Sequence, residues 1–96
     1  MAVGDVFDVV ITSVANNGFQ DVRPGAGVEV VIHNVYYGGA IELYKSDGTN
    51  QIRIYSDTQG GSLVSAALHA TQTRYLRIKN ISGASIFVSA DGIQTK

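Results

Sequence analysis

Along much of the chain, apolar and polar residues alternate with a period of two. Ile41 and Leu43 face one way and Glu42 and Tyr44 the other. Ile52 and Ile54 oppose Arg53 and Tyr55, and Leu76 and Ile78 oppose Tyr75, Arg77 and Lys79. That period belongs to strands with one core face and one wet face. Two segments break the rule. Phe7, Val9 and Ile11 share one side, but Val6, Val10 and Val14 occupy the other; Val28, Val30 and Ile32 likewise oppose Val31 and Val35. A strand that is apolar on both sides wants cover on both, and a two-layer domain supplies one cover. The second is expected from another subunit, so a homo-oligomer is predicted.

The pattern predicts eight strands, near residues 6–14, 18–23, 27–36, 40–46, 51–56, 62–70, 73–80 and 85–91, separated by turn-rich pieces. Asp47-Gly48 supplies the positive φ angles of a tight hairpin, and Pro24 ends a strand because it lacks an amide donor. In "GSLVSAALHATQT" the residues Leu63, Ala66, Ala67 and Ala70 also fit helical spacing, and strand is preferred there. The predicted fold is all-β: a single antiparallel β-sandwich, jelly-roll-like, spanning 1–96, with residues 1–5 as a flexible N-terminal arm.

Composition sharpens this picture. At 96 residues the chain suits one domain, and Val, Ile and Thr total 27 against four Leu, which favours pleated structure. There are no cysteines, so neither a disulfide framework nor a thiolate zinc site is available. A net charge of −1 gives no pull on nucleic acid or anionic lipid. Asp5 and Asp8 interrupt the first apolar run, which has no basic n-region and is not read as a signal peptide. Charged residues make up 16%, below the usual ~25%, and neutral polar residues stand in their place. Such a surface suits packing beside many copies of itself or of a partner.

Candidate chemistry is sparse. His33 and His69 fall on separate strands, and neither neighbours a Cys, Ser or carboxylate at nucleophile or metal spacing. They read as half-buried strand histidines bonded to backbone. Asp5 and Asp8 fall on opposite faces, Asp47 and Asp57 sit in turns, and no carboxylate pair is singled out for acid–base work. "RPGAG" and "QGGS" precede no helix that could face an anion, and "NIS" at 80–82 reads as a turn. No enzyme, cofactor or metal site is expected. Tyr44, Tyr55 and Tyr75 fall on the polar parity of their strands beside Arg53 and Arg77. Cross-strand Tyr–Arg pairing on a solvated sheet is the first reading; tyrosine and arginine in company are also enriched at interfaces, and a sugar-stacking face is the third. The candidate protein-interface residues are Val6, Val10, Val31, Val35, Tyr36, Tyr37, Tyr44, Arg53, Tyr55, Tyr75 and Arg77.

The stretches "VRPGAGVEVVIHNVYYGGAIELYKSDGTNQIRIYSD" and "YLRIKNISGASIFVSADGIQTK" resemble the small all-β virion proteins of tailed bacteriophages, in particular head decoration (cement) proteins. The resemblance implies a structural role on the outer surface of the capsid, bound to the major capsid protein and often trimeric. It also implies a virion protein made in the host bacterial cytoplasm. It carries over no catalytic residues. The competing expectation is a lectin-like or receptor-binding module of a phage fibre or tail.

Overall fold

The computed structural model describes residues 4–64 and 66–96. It is all-β. Among the described residues nine strands run: β1 (Val6–Val14), β2 (Phe19–Val22), β3 (Glu29–Tyr37), β4 (Ile41–Ser46), β5 (Gln51–Asp57), β6 (Gly61–Leu63), β7 (Leu68–Thr71), β8 (Tyr75–Asn80) and β9 (Ile86–Gln94). They form two antiparallel sheets. The larger is ordered β1-β9-β3, with β6 and β7 following one another along the far side of β3; the smaller is ordered β2-β8-β4-β5.

Counting β6 and β7 as one interrupted strand, the pairs are first with last, second with seventh, third with sixth and fourth with fifth. A long hairpin rolled into two facing sheets pairs its strands this way, so the topology is that of a jelly roll. Between the sheets lies one core of β-branched and leucine side chains, including Val22, Val30, Ile32, Val35, Ile41, Leu43, Leu76, Ile78 and Val88. Each such side chain contributes about 1.5–3 kcal/mol on burial.

The interruption falls within the predicted sixth strand, which is therefore two short pieces. The connection is held to β3 by a reciprocal pair: Ala66 N–H donates to the His33 carbonyl (2.9 Å) and His33 Nδ1 donates to the Ala66 carbonyl (2.9 Å). No helix forms among the described residues, and Ser65 lies outside them. At the N-terminus the predicted arm is corrected in part. Gly4 N–H donates to the Gln94 carbonyl (2.7 Å) and Gln94 N–H to the Asp5 carbonyl (2.9 Å), which fastens residues 4 and 5 to the end of β9. Residues 1–3 of that arm lie outside the described residues.

Among the described residues three β-bulges reset the parity read from the sequence. In β1 the register against β9 shifts between Val9 and Thr12, in β3 between Ile32 and Asn34, and between β4 and β5 at Leu43/Tyr44. One extra residue turns every later side chain to the opposite face. In β1, Phe7 and Val9 pack inward, as does Val14 beyond the bulge, while Val10 and Ile11 are both exposed, at 72% and 73%. In β3, Val30 and Ile32 point inward before His33, and Val35 and Tyr37 after it. In β5 the extra residue is Ile54. Tyr55 turns toward the core, and Ile52 and Ile54, expected inside, are exposed at 67% and 43%.

The β3 bulge has a counterpart on β9. Gly92 lies opposite Ile32. A Cβ there would sit on the Val31 carbonyl oxygen and 2.8 Å from Ile32 Cα, so only glycine lets the strands approach this closely. A buried Asn80 closes one end of the sandwich. Its Nδ2 donates to the carbonyls of Val14 (2.8 Å) and Ala84 (2.6 Å), and its Oδ1 accepts from Ser82 N (2.9 Å) and Ser82 Oγ (2.7 Å).

Candidate functional site

The outer face of the four-stranded sheet carries charged and aromatic side chains in two cross-strand rows. Phe19, Lys79 and Glu42 are register partners across β2, β8 and β4, and Asp21, Arg77, Tyr44 and Arg53 continue the same alternation as far as β5. Arg77 reaches across both rows. Its guanidinium lies 4.0 Å from the Phe19 ring centre, Nε donates to Asp21 (2.7 Å) and Nη1 to Gln51 (3.3 Å). Phe19 meets Tyr44 edge to face at 6.1 Å between ring centres. The Tyr44 hydroxyl donates to Glu42 (2.7 Å), whose other oxygen accepts from Arg53 (2.9 Å). The bonds from Tyr44 and then Arg53 hold the Glu42 carboxyl below its ordinary range.

The outer face of the five-stranded sheet is built differently. Register partners Val6, Ile93 and Val31 make one apolar row across β1, β9 and β3. The next row is Asp8, Asp91 and Asn34, where Asn34 Nδ2 donates to Asp91 (2.6 Å). Beyond it, Val10 and Ile11 on the β1 bulge, with Tyr36 and Ser89, line a shallow depression of about 430 Å³ with Asp8 on its rim. A second depression of about 240 Å³ continues it toward Phe87 and Tyr37. Val6 is 71% exposed, Phe87 64% and Ile93 42%. Single exposed apolar residues are ordinary on any protein, but a run of them joined by strand register is not. The bulge is what brings Val10 and Ile11 onto this face together.

The predicted interface residues separate into three groups. Val6, Val10, Val31 and Tyr36 come together on the outer face of the five-stranded sheet, and Tyr44, Arg53 and Arg77 on that of the four-stranded sheet. The rest are corrected. Val35 is fully buried, because the bulge at His33 turns it into the core. Tyr37 and Tyr55 join the sheets from within: the Tyr37 hydroxyl donates to Asp57 (2.7 Å) and lies 3.2 Å from that of Tyr55. Burial foremost, then these bonds, raises the pKa of Tyr37, and the Tyr37 bond lowers that of Asp57. Tyr75 keeps its predicted outward parity yet is 7% exposed beneath Arg23, whose guanidinium lies 4.3 Å from the ring centre.

Sequence reasoning missed Ile11, Phe87, Ile93, Asp8 and Asp91 as members of the apolar face. For Phe87, Asp91 and Ile93 a signal existed: small residues at 90 and 92 alternate with them along "IFVSADGIQ", a strand that continues past residue 91.

The remaining candidates are tied down locally. His33 bonds the Ala66 carbonyl, and His69 lies opposite Val31 in the β3–β7 ladder. No group of three metal-ligating side chains occurs among the described residues. A depression of about 420 Å³ at the β4–β5 turn is lined by Lys45, Asp47, Gln51, Ile52 and Arg74 among others. There the Lys45 ammonium donates to the His69 carbonyl in the other sheet, and desolvation first, then Arg74, lowers its pKa. Asp47 Oδ1 accepts the amides of Thr49 (2.9 Å) and Asn50 (2.7 Å), and Gly48 alone takes the positive φ (92°) in a four-residue connection.

No protein-family model and no curated protein matches the chain. Among solved structures, the solution NMR structure of a de novo designed double-stranded β-helix aligns with 92% of this chain and 97% of its own, at 17% identity and a TM-score of 0.48.

Proposed function

We propose that this is a non-enzymatic structural virion protein, a head decoration protein of a tailed phage, which docks on the capsid through the outer face of its five-stranded sheet. The observation that carries the reading is that face: uncovered, with an apolar row and an apolar depression on either side of one polar row, on a sandwich whose opposite face engages its own side chains. The molecule measures 37 by 26 by 19 Å, and its broad side is of the order of the ~800 Å² that each partner contributes to a stable interface. The jelly roll serves in capsids and lectins alike, so the fold supports the reading only by analogy. The sugar-stacking alternative has less to stand on. Phe19 and Tyr44, the rings that would serve, are occupied by each other and by Arg77.

In this reading the homo-oligomer, with a trimer favoured, forms through a second apolar patch. Ile52 and Ile54 on the open edge of β5 leave the broad face to the shell. Repetition on the lattice then turns weak single contacts into firm attachment. The test is co-sedimentation with expanded tailed-phage heads, assembled from the major capsid protein of the genome that carries this chain. Saturable binding, lost on Val10→Lys/Phe87→Lys and kept in Arg53→Ala, supports the reading. No binding by the unaltered protein, or equal binding by the lysine variant, overturns it.

A further inference from the structure

Sheet by sheet, the strand cations are segregated. Lys45, Arg53, Arg77 and Lys79 all lie on strands of the four-stranded sheet, and β1, β3, β6, β7 and β9 contain no lysine or arginine. Yet in the middle of the apolar face Asp8 and Asp91 are direct cross-strand partners. Opposed like charges destabilise a strand pair, and no ion pair offsets these two among the described residues. The Asp91 carboxylate is oriented by Asn34 (2.6 Å). The Tyr36 hydroxyl also feels it: burial first, then the hydrogen bond to Asp91 and the charges of Asp91 and Asp8, raises the tyrosine pKa. An apolar row lies on one side of the carboxylates and an apolar depression on the other.

We propose that the occupant of this face is a protein surface presenting a lysine or arginine within an apolar ring, and that the Asp8–Asp91 pair both receives that cation and prevents two copies from pairing face to face. The proposal rests on the docking reading above and names the chemistry of its partner. Self-pairing through this face would bring four carboxylates into one apolar interface with no strand cation to meet them, and uncompensated like charges count strongly against a wrong partner. A cationic partner reverses the sign. The pair becomes an attractive centre, and the apolar rows exclude water around it.

The test replaces both acids by their neutral isosteres. In sedimentation velocity, Asp8→Asn/Asp91→Asn is expected to gain a further association step at tens of micromolar that the unaltered protein lacks and that added Val10→Lys removes. On expanded heads the same variant should bind roughly tenfold or more weakly, with a flatter dependence on salt. Asp8→Asn alone touches no described side-chain hydrogen bond. It carries the test if losing the Asp91 bonds unsettles the fold. An unchanged assembly state, or unchanged affinity and salt dependence on heads, overturns the proposal. Failure of the unaltered protein to bind heads overturns the decoration reading instead, and the sedimentation arm then decides this one.

Discussion

The two broad faces of the sandwich share a backbone architecture and differ in what their side chains do. On the four-stranded sheet, Arg77, Asp21, Glu42, Arg53 and Tyr44 pair with one another, and Phe19 lies under a guanidinium. On the five-stranded sheet, Val6, Val10, Ile11, Phe87 and Ile93 meet nothing on their outer side, and two carboxylates face each other across a ladder. Aromatic and charged residues drew attention in the sequence because such types favour interfaces. The contrast teaches that residue type is a weaker guide than whether the groups are already engaged. A face that satisfies its own hydrogen bonds and covers its own rings gains little from a partner, whereas an uncovered apolar face gains much.

The largest expected effect comes from the close approach of β9 to β3. Gly92→Ala drives a methyl into the β3 backbone at the bulge, and backbone cannot yield as a flexible side chain can. Overpacking of this kind costs typically 1–3 kcal/mol and here about 3 or more, because the nearest neighbours are main-chain atoms of Val31 and Ile32. Chemical denaturation should show a much lower midpoint, and head binding should fall with it. A variant of near-native stability would mean that β9 and β3 are not held at this approach.

Next in size is a dissociation of binding from stability. Val10→Lys/Phe87→Lys alters two side chains that are 72% and 64% exposed, so the unfolding free energy should move by no more than about 0.5 kcal/mol per site. Head binding should drop roughly 100-fold, as for loss of a central apolar anchor. Arg77→Ala is the converse. It removes an ion pair and a ring contact, each worth about 0.5–1 kcal/mol, and should lower stability by roughly 1 kcal/mol with binding intact. If Arg77→Ala weakens binding and the lysine pair does not, the assignment of the faces is reversed.

How much of this contrast the sequence disclosed depends on where the bulges fall. The alternation in "IELYK" and "YLRIKN" predicted the core and outer faces of β4 and β8, and with them Tyr44 and Arg77 as outward neighbours. The same rule failed in β1, β3 and β5, each of which carries an inserted residue at Val10–Ile11, His33 or Ile54. None of these is a glycine or proline; in β1 and β3 the mark left in the sequence is the apolar residues on both parities, and in β5 the alternation runs on unbroken through the bulge. An apparent double-sided strand at "VEVVIHNVYY" is largely a single-sided one with a step in it: Val35 belongs to the core and Val31 to the surface. The inference that one apolar face lacks cover nonetheless survives, because β1 and β9 supply Val6, Val10, Ile11 and Phe87 to it.

The smallest expected effect separates the faces by pH. Glu42 has a lowered folded pKa from its bonds to Tyr44 and Arg53, and Asp57 one from its bonds to Tyr37 and the Gln59 amide. A carboxyl whose folded pKa lies below its unfolded value binds fewer protons folded than unfolded. Its contribution is therefore fully present above the unfolded pKa, near the ordinary carboxylate range of about 4, and disappears as pH falls through the lower folded value. Denaturation midpoints of the unaltered protein should thus decline on acidification below that range. Glu42→Gln should flatten part of the decline, since the outer network of the four-stranded sheet no longer titrates, and Asp57→Asn should flatten another part from the inter-sheet tyrosine cluster. Val10→Ala or Phe87→Ala on the other sheet should leave the slope as it is, because those side chains hold no titrating group and alanine introduces no charge beside Asp8. An acid slope that followed the apolar face and ignored Glu42 and Asp57 would show that the charged network is not what the four-stranded sheet spends its polar groups on.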